Sequence, residues 1–238
     1  MKLDLLAIGA HPDDVELSGS GTVLKHVALG QKVGILDLTR GELGTRGNAE
    51  LRALEAKKSS EILGIHFREN IGMPDGFFSN TKENQLEIIK VLRKCQPDIV
   101  LCNAVYDRHP DHGKASNLVS DACFYSGLIK IETELNSEKQ KAWRPKFVYH
   151  YIQDRYIKPD FIVDISEHIE KKMESIMAFS SQFYDPTSKE PQTPISSKQF
   201  IEAIRNRSAE MGRIIGVEYG EGFTCERVAG VKDLNQLI

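Results

Sequence analysis

The chain has 238 residues, 40% of them hydrophobic and 8% aromatic, enough to bury a substantial core in an α/β domain. A net charge of −3 gives no electrostatic reason to expect nucleic acid or an anionic membrane as a partner. No segment approaches the roughly 18 apolar residues of a membrane span, and the polar N-terminus lacks the apolar core of a signal peptide. We therefore expect a cytoplasmic protein.

Strands and helices alternate along the first half of the chain. Apolar runs predict strands at 3–9, 32–38, 66–71 and 98–103. Helical spacing of apolar residues predicts helices at 19–29, 49–63, 83–94 and from about 110 to 125. This rhythm is typical of a Rossmann-like, mainly parallel sheet with helices on both faces.

The second half of the chain is less regular. We expect strands at 147–152 and 161–165, a helix beginning at Ser166, and another helix at 197–215. Residues 184–194 contain three prolines and predict a loop over the functional site. The Gly220-Glu221-Gly222 sequence predicts a turn before a last strand. We expect a single domain over 1–238, with a Rossmann-like core at about 1–130 and a smaller, irregular α/β portion at about 131–238.

The first chemical motif, Ala10-His11-Pro12-Asp13-Asp14-Val15-Glu16, directly follows the first predicted strand. A histidine and two adjacent carboxylates in four residues repel or desolvate one another unless a positive charge lies among them. Imidazole and carboxylate together suit zinc and neighbouring transition metals. The motif therefore predicts half of a metal site.

The second motif, His109-Pro110-Asp111-His112, follows the strand at 98–103. Because ligands bind at the carboxyl ends of the strands in open α/β sheets, the two motifs are expected to meet there. His11, Asp14 and His112 would then supply three ligands and leave one coordination position open, as in catalytic zinc sites. Zn²⁺ is the expected ion, with Fe²⁺ or another divalent transition metal as the alternative.

The remaining polar residues of the motifs suggest catalytic roles. Asp13 is placed to accept a proton from water as a general base. His109 is a candidate to stabilise an oxyanion or to protonate a leaving amine, and Asp111 is a candidate to orient His109 and keep it protonated. This set of residues predicts a hydrolase.

The two motifs together resemble those of the LmbE-like, or PIG-L-type, N-acetylglucosaminyl deacetylases, and the resemblance extends over essentially the whole chain. It implies a Rossmann-like fold, zinc bound by His11, Asp14 and His112, and the same roles for Asp13, His109 and Asp111. It further implies a small-molecule N-acetylglucosaminyl substrate and a homo-oligomer as large as a hexamer.

Within that family the chain is most similar to the deacetylases of bacillithiol biosynthesis, which act on N-acetylglucosaminyl malate. The similarity lies in Thr39–Gly47, Asn70–Gly76 and Tyr219–Phe223. The resemblance to the wider family implies that Arg52 is the arginine near the site that binds the substrate. Arg46 and Arg108 are further candidates for binding a substrate carboxylate or hydroxyl groups.

Three alternatives stay open at this point. The enzyme could deacetylate another N-acetyl sugar. Two histidines and a carboxylate also form the facial triad of non-haem Fe(II) oxygenases, although no cosubstrate site is recognisable in the sequence. A binding module without catalysis is the third alternative, against which the spare base Asp13 and the spare acid His109 argue.

Overall fold

A computed structural model, which describes residues 1–237, contains six α-helices and nine strands in that range, seven of them in one sheet. The strands are β1 (Leu5–Gly9), β2 (Val33–Thr39), β3 (Phe67–Met73), β4 (Ile99–Cys102), β5 (Glu134–Leu135), β6 (Glu138–Lys139), β7 (Phe147–Tyr151), β8 (Phe161–Asp164) and β9 (Gly220–Cys225). The helices are α1 (Asp14–Ala28), α2 (Ala49–Leu63), α3 (Lys82–Cys95), α4 (Pro110–Ser126), α5 (Ile169–Met177) and α6 (Lys198–Ile215).

The sheet has the strand order β3-β2-β1-β4-β7-β9-β8, and β9 runs in the direction opposite to that of the other six strands. From β1 the chain moves outward to β2 and β3, and then returns to place β4 on the other side of β1. The strand order therefore reverses between β1 and β4, which is where α/β sheets bind ligands. The predicted fold, a mainly parallel sheet of the Rossmann type, is confirmed.

Alternation along the central strands gives the sheet two apolar faces. Leu6 and Ile8 of β1 belong to the core beneath α3 and α4, and Leu5 and Ala7 belong to the core beneath α1. All four side chains are fully buried. Because both faces of the sheet are covered, β1 reads in the sequence as a continuous apolar run.

A buried ion pair attaches the C-terminal part of the chain to α1. The Nζ atom of Lys172 lies 2.7 Å from Oε1 of Glu221, and both side chains are at most 3% exposed. The Glu221 carboxylate also accepts hydrogen bonds from the backbone N–H groups of Gly21 and Thr22, and Lys172 donates to the carbonyl oxygen of Leu17. These contacts connect α5 and β9 to the middle of α1.

The turn predicted at Gly220-Glu221-Gly222 is wrong, because these residues form the beginning of β9 and pair with β8. The prediction missed the constraint that explains the glycines. A Cβ atom at Gly220 would lie 2.6 Å from the Ile162 side chain and 3.0 Å from the backbone of Gly212. Close packing of α6 on the strand, rather than a turn, therefore requires glycine at this position.

One boundary and one small hairpin also differ from the prediction. Helix α1 begins at Asp14, inside the first motif, and not at residue 19. Its first three turns bury polar residues, so they lack the apolar spacing that indicates a helix. The small exposed hairpin of β5 and β6 was not predicted either. Among the described residues, no helix is both long and apolar enough to cross a bilayer.

Candidate active site

The two motifs lie side by side at the carboxyl edge of the sheet, because each connects a central strand to the helix that follows it. Asp13 is the N-cap residue of α1, and His109 is the N-cap residue of α4. The turn after β1 is tight: a Cβ atom at Gly9 would lie 3.0 Å from the carbonyl oxygen of His11. The adjacent, parallel β1 and β4 therefore bring both motifs to one edge of the sheet.

The three residues predicted as metal ligands come together around the Asp14 carboxylate. Nδ1 of His11 lies 3.5 Å from Oδ2 of Asp14, and Nε2 of His112 lies 3.0 Å from Oδ1. His109 joins the same group, since the ligand atoms of the three histidines lie within 4.8 Å of one another. Four candidate ligands therefore face one small volume, of which the sequence predicted three.

Each of the two predicted imidazole ligands uses its far nitrogen to contact a carboxylate. Nε2 of His11 lies 2.9 Å from Oδ1 of Asp75 and 3.4 Å from Oδ2 of Asp111. Nδ1 of His112 lies 2.6 Å from Oδ2 of Asp107. Metal-binding histidines characteristically donate their other N–H to a carboxylate, which fixes the ring and its tautomer. The donor set therefore fits a divalent transition metal at the Nδ1 side of His11 and the Nε2 side of His112.

Hydrogen bonds from His11 in the same turn and from residues that follow β4 and β7 hold the Asp14 carboxylate. Oδ2 accepts from the backbone N–H of His11 and from Nδ2 of Asn103, both at 3.0 Å. Oδ1 accepts from Nε2 of Gln153 at 3.1 Å. Asn103 is itself fixed, because its Oδ1 atom accepts from the backbone N–H of Ala10. The carboxylate is thus oriented from three sides by the protein itself.

The electrostatics of this group favour a positive charge beside Asp14. Burial opposes ionisation of Asp14, but His112 and His11 outweigh it and hold the pKa of Asp14 well below its usual value. Burial also lowers the pKa of His112, but Asp14 and Asp107 raise it to about 9. A metal ion would take over this positive charge and release the imidazole protons.

Asp13 adopts a backbone conformation that is uncommon for an aspartate, with φ of 123°. Strain of this kind persists only where the surrounding structure imposes it, and it occurs preferentially at functional sites. Oδ2 of Asp13 accepts a hydrogen bond from Arg52 at 3.1 Å. Burial raises the pKa of Asp13 to about 7, although Arg52 opposes this shift.

Gly41 leaves the space that Arg52 needs. Gly41 has a φ of +65°, and a Cβ atom there would lie 1.9 Å from Nη1 of Arg52. Arg52 itself is 6% exposed, extends from α2 and lines the cavity in front of Asp13. Gly41 of the Thr39–Gly47 segment therefore allows Arg52 to reach Asp13.

The expected pairing of Asp111 with His109 is not present. The Asp111 carboxylate accepts instead from the backbone N–H of Gly76 and from Nζ of Lys114, and it faces His11. Nδ1 of His109 accepts from the backbone N–H of Asp111 at 3.2 Å. Burial, followed by the nearby His11 and His112, lowers the pKa of His109. In the neutral ring the proton therefore lies on Nε2, and the Asp111 carboxylate does not hold it there.

The three predicted substrate-binding arginines have different environments. Arg52 lies inside the cavity beside Asp13. Arg108 lies at the mouth of the same cavity, where its Nε donates to Oδ2 of Asp154 at 3.1 Å. Arg46 lies outside it, buried under the 184–197 segment, where it donates to the carbonyl oxygen of Phe183 and to Ser188. The structure brings two of the three arginines to the candidate site.

A cavity of about 520 Å³ opens in front of the two motifs. One wall carries the polar residues described above. The opposite wall is largely apolar and comes from the end of the 184–197 segment and from α6, with Pro194, Ile195, Phe200 and Ile204. A sugar ring presents both hydroxyl groups and apolar C–H faces, so a cavity with these two walls fits a sugar conjugate.

Four residues of the site were missed by sequence reasoning: Asp75, Asn103, Asp107 and Gln153. Asp107 precedes the second motif, Asn103 ends the predicted strand at 98–103, and Asp75 lies shortly after the predicted strand at 66–71. Each of these three could have been found as a polar residue at the carboxyl end of a predicted strand. Gln153 follows β7, and only the pairing of β7 with β4 in the folded sheet brings this residue to the site.

Comparisons with known proteins place this arrangement in a family. The sequence profile of the GlcNAc-PI de-N-acetylase (PIG-L) family matches residues 6–123. Diacetylchitobiose deacetylase of Thermococcus kodakarensis is 30% identical over 234 residues, covering 92% of this chain and 81% of the relative. A probable N-acetyl-alpha-D-glucosaminyl L-malate deacetylase 2 of Bacillus anthracis is 26% identical, covering 75% of this chain and 81% of the relative. The crystal structure of the conserved protein TT1542 from Thermus thermophilus is 34% identical, with a TM-score of 0.87 and 98% of both chains covered.

Proposed function

Because the chain belongs to the GlcNAc-PI de-N-acetylase (PIG-L) family, we propose that it is a metal-dependent hydrolase that removes acetate from an N-acetylglucosamine conjugate. One observation supports this most strongly. His11, Asp14 and His112 converge at one end of a cavity that also exposes Asp13 and His109 to the same volume. Ligands, base and acid are thus available around one bound substrate.

We assign the metal ligands to Nδ1 of His11, the Asp14 carboxylate and Nε2 of His112. These atoms face one another, and the far nitrogens of both rings are engaged by carboxylates. A bound divalent metal would supply a Lewis acid for the acetamide carbonyl and lower the pKa of a water molecule. Imidazole and carboxylate donors favour zinc, with Fe²⁺ as the alternative.

The residues of the chain provide the proton transfers. The Asp13 carboxylate accepts a proton from the water that attacks the acetamide carbonyl carbon. Arg52, bonded to one oxygen of Asp13, keeps that carboxylate in place. Nε2–H of His109 donates to the oxygen that becomes negatively charged. When the C–N bond breaks, the proton that Asp13 took from the water passes to the sugar nitrogen, so that acetate and a free amine are released and the Asp13 carboxylate is regenerated.

For the aglycone we propose a small carboxylic acid, most specifically malate, as in bacillithiol biosynthesis. The support is the resemblance in Thr39–Gly47, Asn70–Gly76 and Tyr219–Phe223, and the relative from Bacillus anthracis. At the cavity mouth Arg108 donates to Asp154 through Nε. The two terminal nitrogens of Arg108 would then bind the malyl carboxylate. The competing aglycone is a second sugar, as in the substrate named for the Thermococcus relative.

The test compares kcat/KM for N-acetylglucosaminyl malate, diacetylchitobiose and the methyl glycoside of N-acetylglucosamine, with free amine as the readout. We expect N-acetylglucosaminyl malate to give the highest kcat/KM, because binding of its remote carboxylate lowers the energy of the transition state. Arg108→Met should reduce the malate value alone. Arg213→Met, an exposed arginine on α6, is the matched control.

The outcomes separate the levels of the proposal. Equal values for malate and methyl glycoside would contradict the malate assignment and leave the deacetylase assignment standing. A preference for diacetylchitobiose would assign the second sugar instead. No amine from any substrate in the metal-loaded protein would contradict the deacetylase assignment. Metal-dependent oxygen consumption would support the oxygenase alternative.

A further inference from the structure

Gln153 connects the candidate metal ligands to the helix that forms the opposite wall of the cavity. It is 4% exposed and follows β7. Its Nε2 atom lies 3.1 Å from Oδ1 of Asp14 and 3.4 Å from Nε2 of His112. We propose that Gln153 is a positioning residue for the metal-binding Asp14 carboxylate and that Arg207 acts through Gln153; this proposal rests on the proposed metal site.

The orientation of the Gln153 amide is determined by its other end. Oε1 accepts a hydrogen bond from Nδ2 of Asn103 at 3.0 Å and another from the backbone N–H of Ala104 at 3.1 Å. A backbone N–H can only donate, so an amide rotated by 180° would place two donors against each other. The NH₂ group must therefore face Asp14. There it donates to Oδ1, the carboxylate oxygen that also contacts His112.

Arg207 fixes the backbone that carries this amide. It extends from α6 and donates to the carbonyl oxygen of Gln153 and, at 3.0 Å, to that of Asp154. Among the described residues, no carboxylate lies within ion-pair distance of Arg207. Its guanidinium donates to these two carbonyl groups instead. A chain of direct contacts thus leads from α6 through Arg207 and Gln153 to Asp14.

The arrangement has a chemical consequence for the site. A carboxylate that binds metal is held in a productive orientation by hydrogen bonds from its neighbours, and loss of such a partner typically costs roughly 10- to 100-fold in metal affinity. The helix that supplies Arg207 also supplies Phe200 and Ile204 to the apolar wall. The position of this wall and the orientation of Asp14 are therefore linked through the side chains of Arg207 and Gln153.

The first experiment measures zinc affinity of the metal-free protein by competition with a chromophoric chelator, without substrate. Gln153→Leu keeps the approximate volume and removes every hydrogen bond of the amide, and we expect roughly 10- to 100-fold weaker binding. The control is Gln140→Leu, which removes an amide bonded to the carbonyl oxygen of Lys90, away from the cavity. Wild-type affinity in folded Gln153→Leu would overturn the proposal.

A second variant keeps the test valid if Gln153→Leu does not fold. In Gln153→Glu, one oxygen can still accept from Asn103 and Ala104, but the other faces Asp14 without a proton to donate. Repulsion between the two carboxylates should lower the Tm of the metal-free protein, and zinc should restore it. We therefore expect a larger zinc-induced rise in Tm than in wild type. A zinc-induced rise equal to that of wild type would contradict a role at Asp14. A purely structural role would lower the Tm of the metal-free and of the zinc-bound protein by the same amount.

A double-mutant cycle tests whether Arg207 acts through Gln153. We expect Arg207→Met to weaken zinc binding less than Gln153→Leu does, and Arg207→Lys to restore part of the loss. In the protein with both Gln153→Leu and Arg207→Met, the loss should equal that of Gln153→Leu alone. Additive losses would overturn the relay, and Arg213→Met on the same helix should leave the affinity unchanged.

These measurements also separate the two proposals. If the protein deacetylates its substrate but the Gln153 variants bind zinc normally, only the positioning role fails. If the variants lose zinc affinity as expected but no substrate yields amine, only the proposed function fails.

Discussion

The Asp14 carboxylate and the His112 imidazole approach to 3.0 Å, although the two residues follow different strands. The contact exists because β1 and β4 are neighbours in the sheet and each strand leads into a helix start. The far nitrogen of His112 is bonded to Asp107, so the near nitrogen is directed at Asp14. The expected behaviour of the metal and of the catalytic residues depends on this geometry.

The first prediction distinguishes the two imidazoles of the second motif. His112→Ala should abolish tight binding of a metal that wild type holds at about one equivalent per chain. His109→Ala should retain the metal and lose activity. Metal analysis after dialysis against a weak chelator, combined with the amine assay, measures both properties.

This comparison is needed because the ligand atoms of all three histidines lie within 4.8 Å of one another. If His109→Ala loses the metal and His112→Ala keeps it, the ligand assignment is wrong. His26→Ala, a histidine of α1 that contacts Gln31 away from the cavity, serves as the control.

The second prediction concerns Asp13 as the base. Asp13→Asn should keep the metal and reduce kcat by roughly 10²-fold or more, since an amide cannot accept the proton of the attacking water. KM should change less than kcat, because Asp13 acts on the water and not on the sugar. Near-normal kcat in a variant with a full equivalent of metal would remove Asp13 from the mechanism.

The third prediction uses Gly41 to displace Arg52 without changing Arg52 itself. In Gly41→Ala the new methyl group would overlap Nη1 of Arg52, so the guanidinium must leave the position in which its Nη2 atom bonds to Asp13. We expect kcat to fall by up to roughly 10²-fold, the effect of misplacing a catalytic group by about an ångström.

Gly30→Ala is the matched control for that experiment. Gly30 has a similar positive φ of +77°, but a Cβ atom there would meet nothing within 4 Å. Both variants place an alanine at a positive φ, and only Gly41→Ala carries the clash. Equal activity in the two variants would show that Arg52 does not need this position.

The fourth prediction concerns the buried ion pair of Lys172 and Glu221. Lys172→Met should lower the free energy of unfolding by about 3–5 kcal/mol, because it leaves the Glu221 carboxylate buried without its cation. Urea unfolding followed by circular dichroism measures the change. The neighbouring Lys171→Met, at an exposed position of α5, should change it by no more than about 0.5 kcal/mol.

A loss in Lys172→Met as small as that in Lys171→Met would contradict this prediction. The hydrogen bonds that Gly21 and Thr22 donate to the Glu221 carboxylate would then hold it adequately without the charge of Lys172.

Much of the fold could be predicted because it depends on local pattern. The apolar runs of β1, β2 and β4 are as short as buried strands usually are, and the apolar residues of α3 recur with the helical period. The start of α1 could not, because Asp13, Asp14 and Glu16 are buried polar residues whose partners come from elsewhere in the chain. A polar first turn carries no apolar period.

For the candidate site, the sequence specifies which side chains follow β1 and β4 directly. These are the side chains that can meet where the strand order of a parallel sheet reverses. The partners of those side chains depend on the folded chain. Folding turns the Asp111 carboxylate to His11 and Lys114 instead of His109, and it places Arg46 outside the cavity. It also brings Gln153 to Asp14 and Arg207 to the carbonyl oxygen of Gln153. Hydrogen bonds between distant segments depend on strand register and helix packing to within an ångström, and spacing along the chain does not encode that distance.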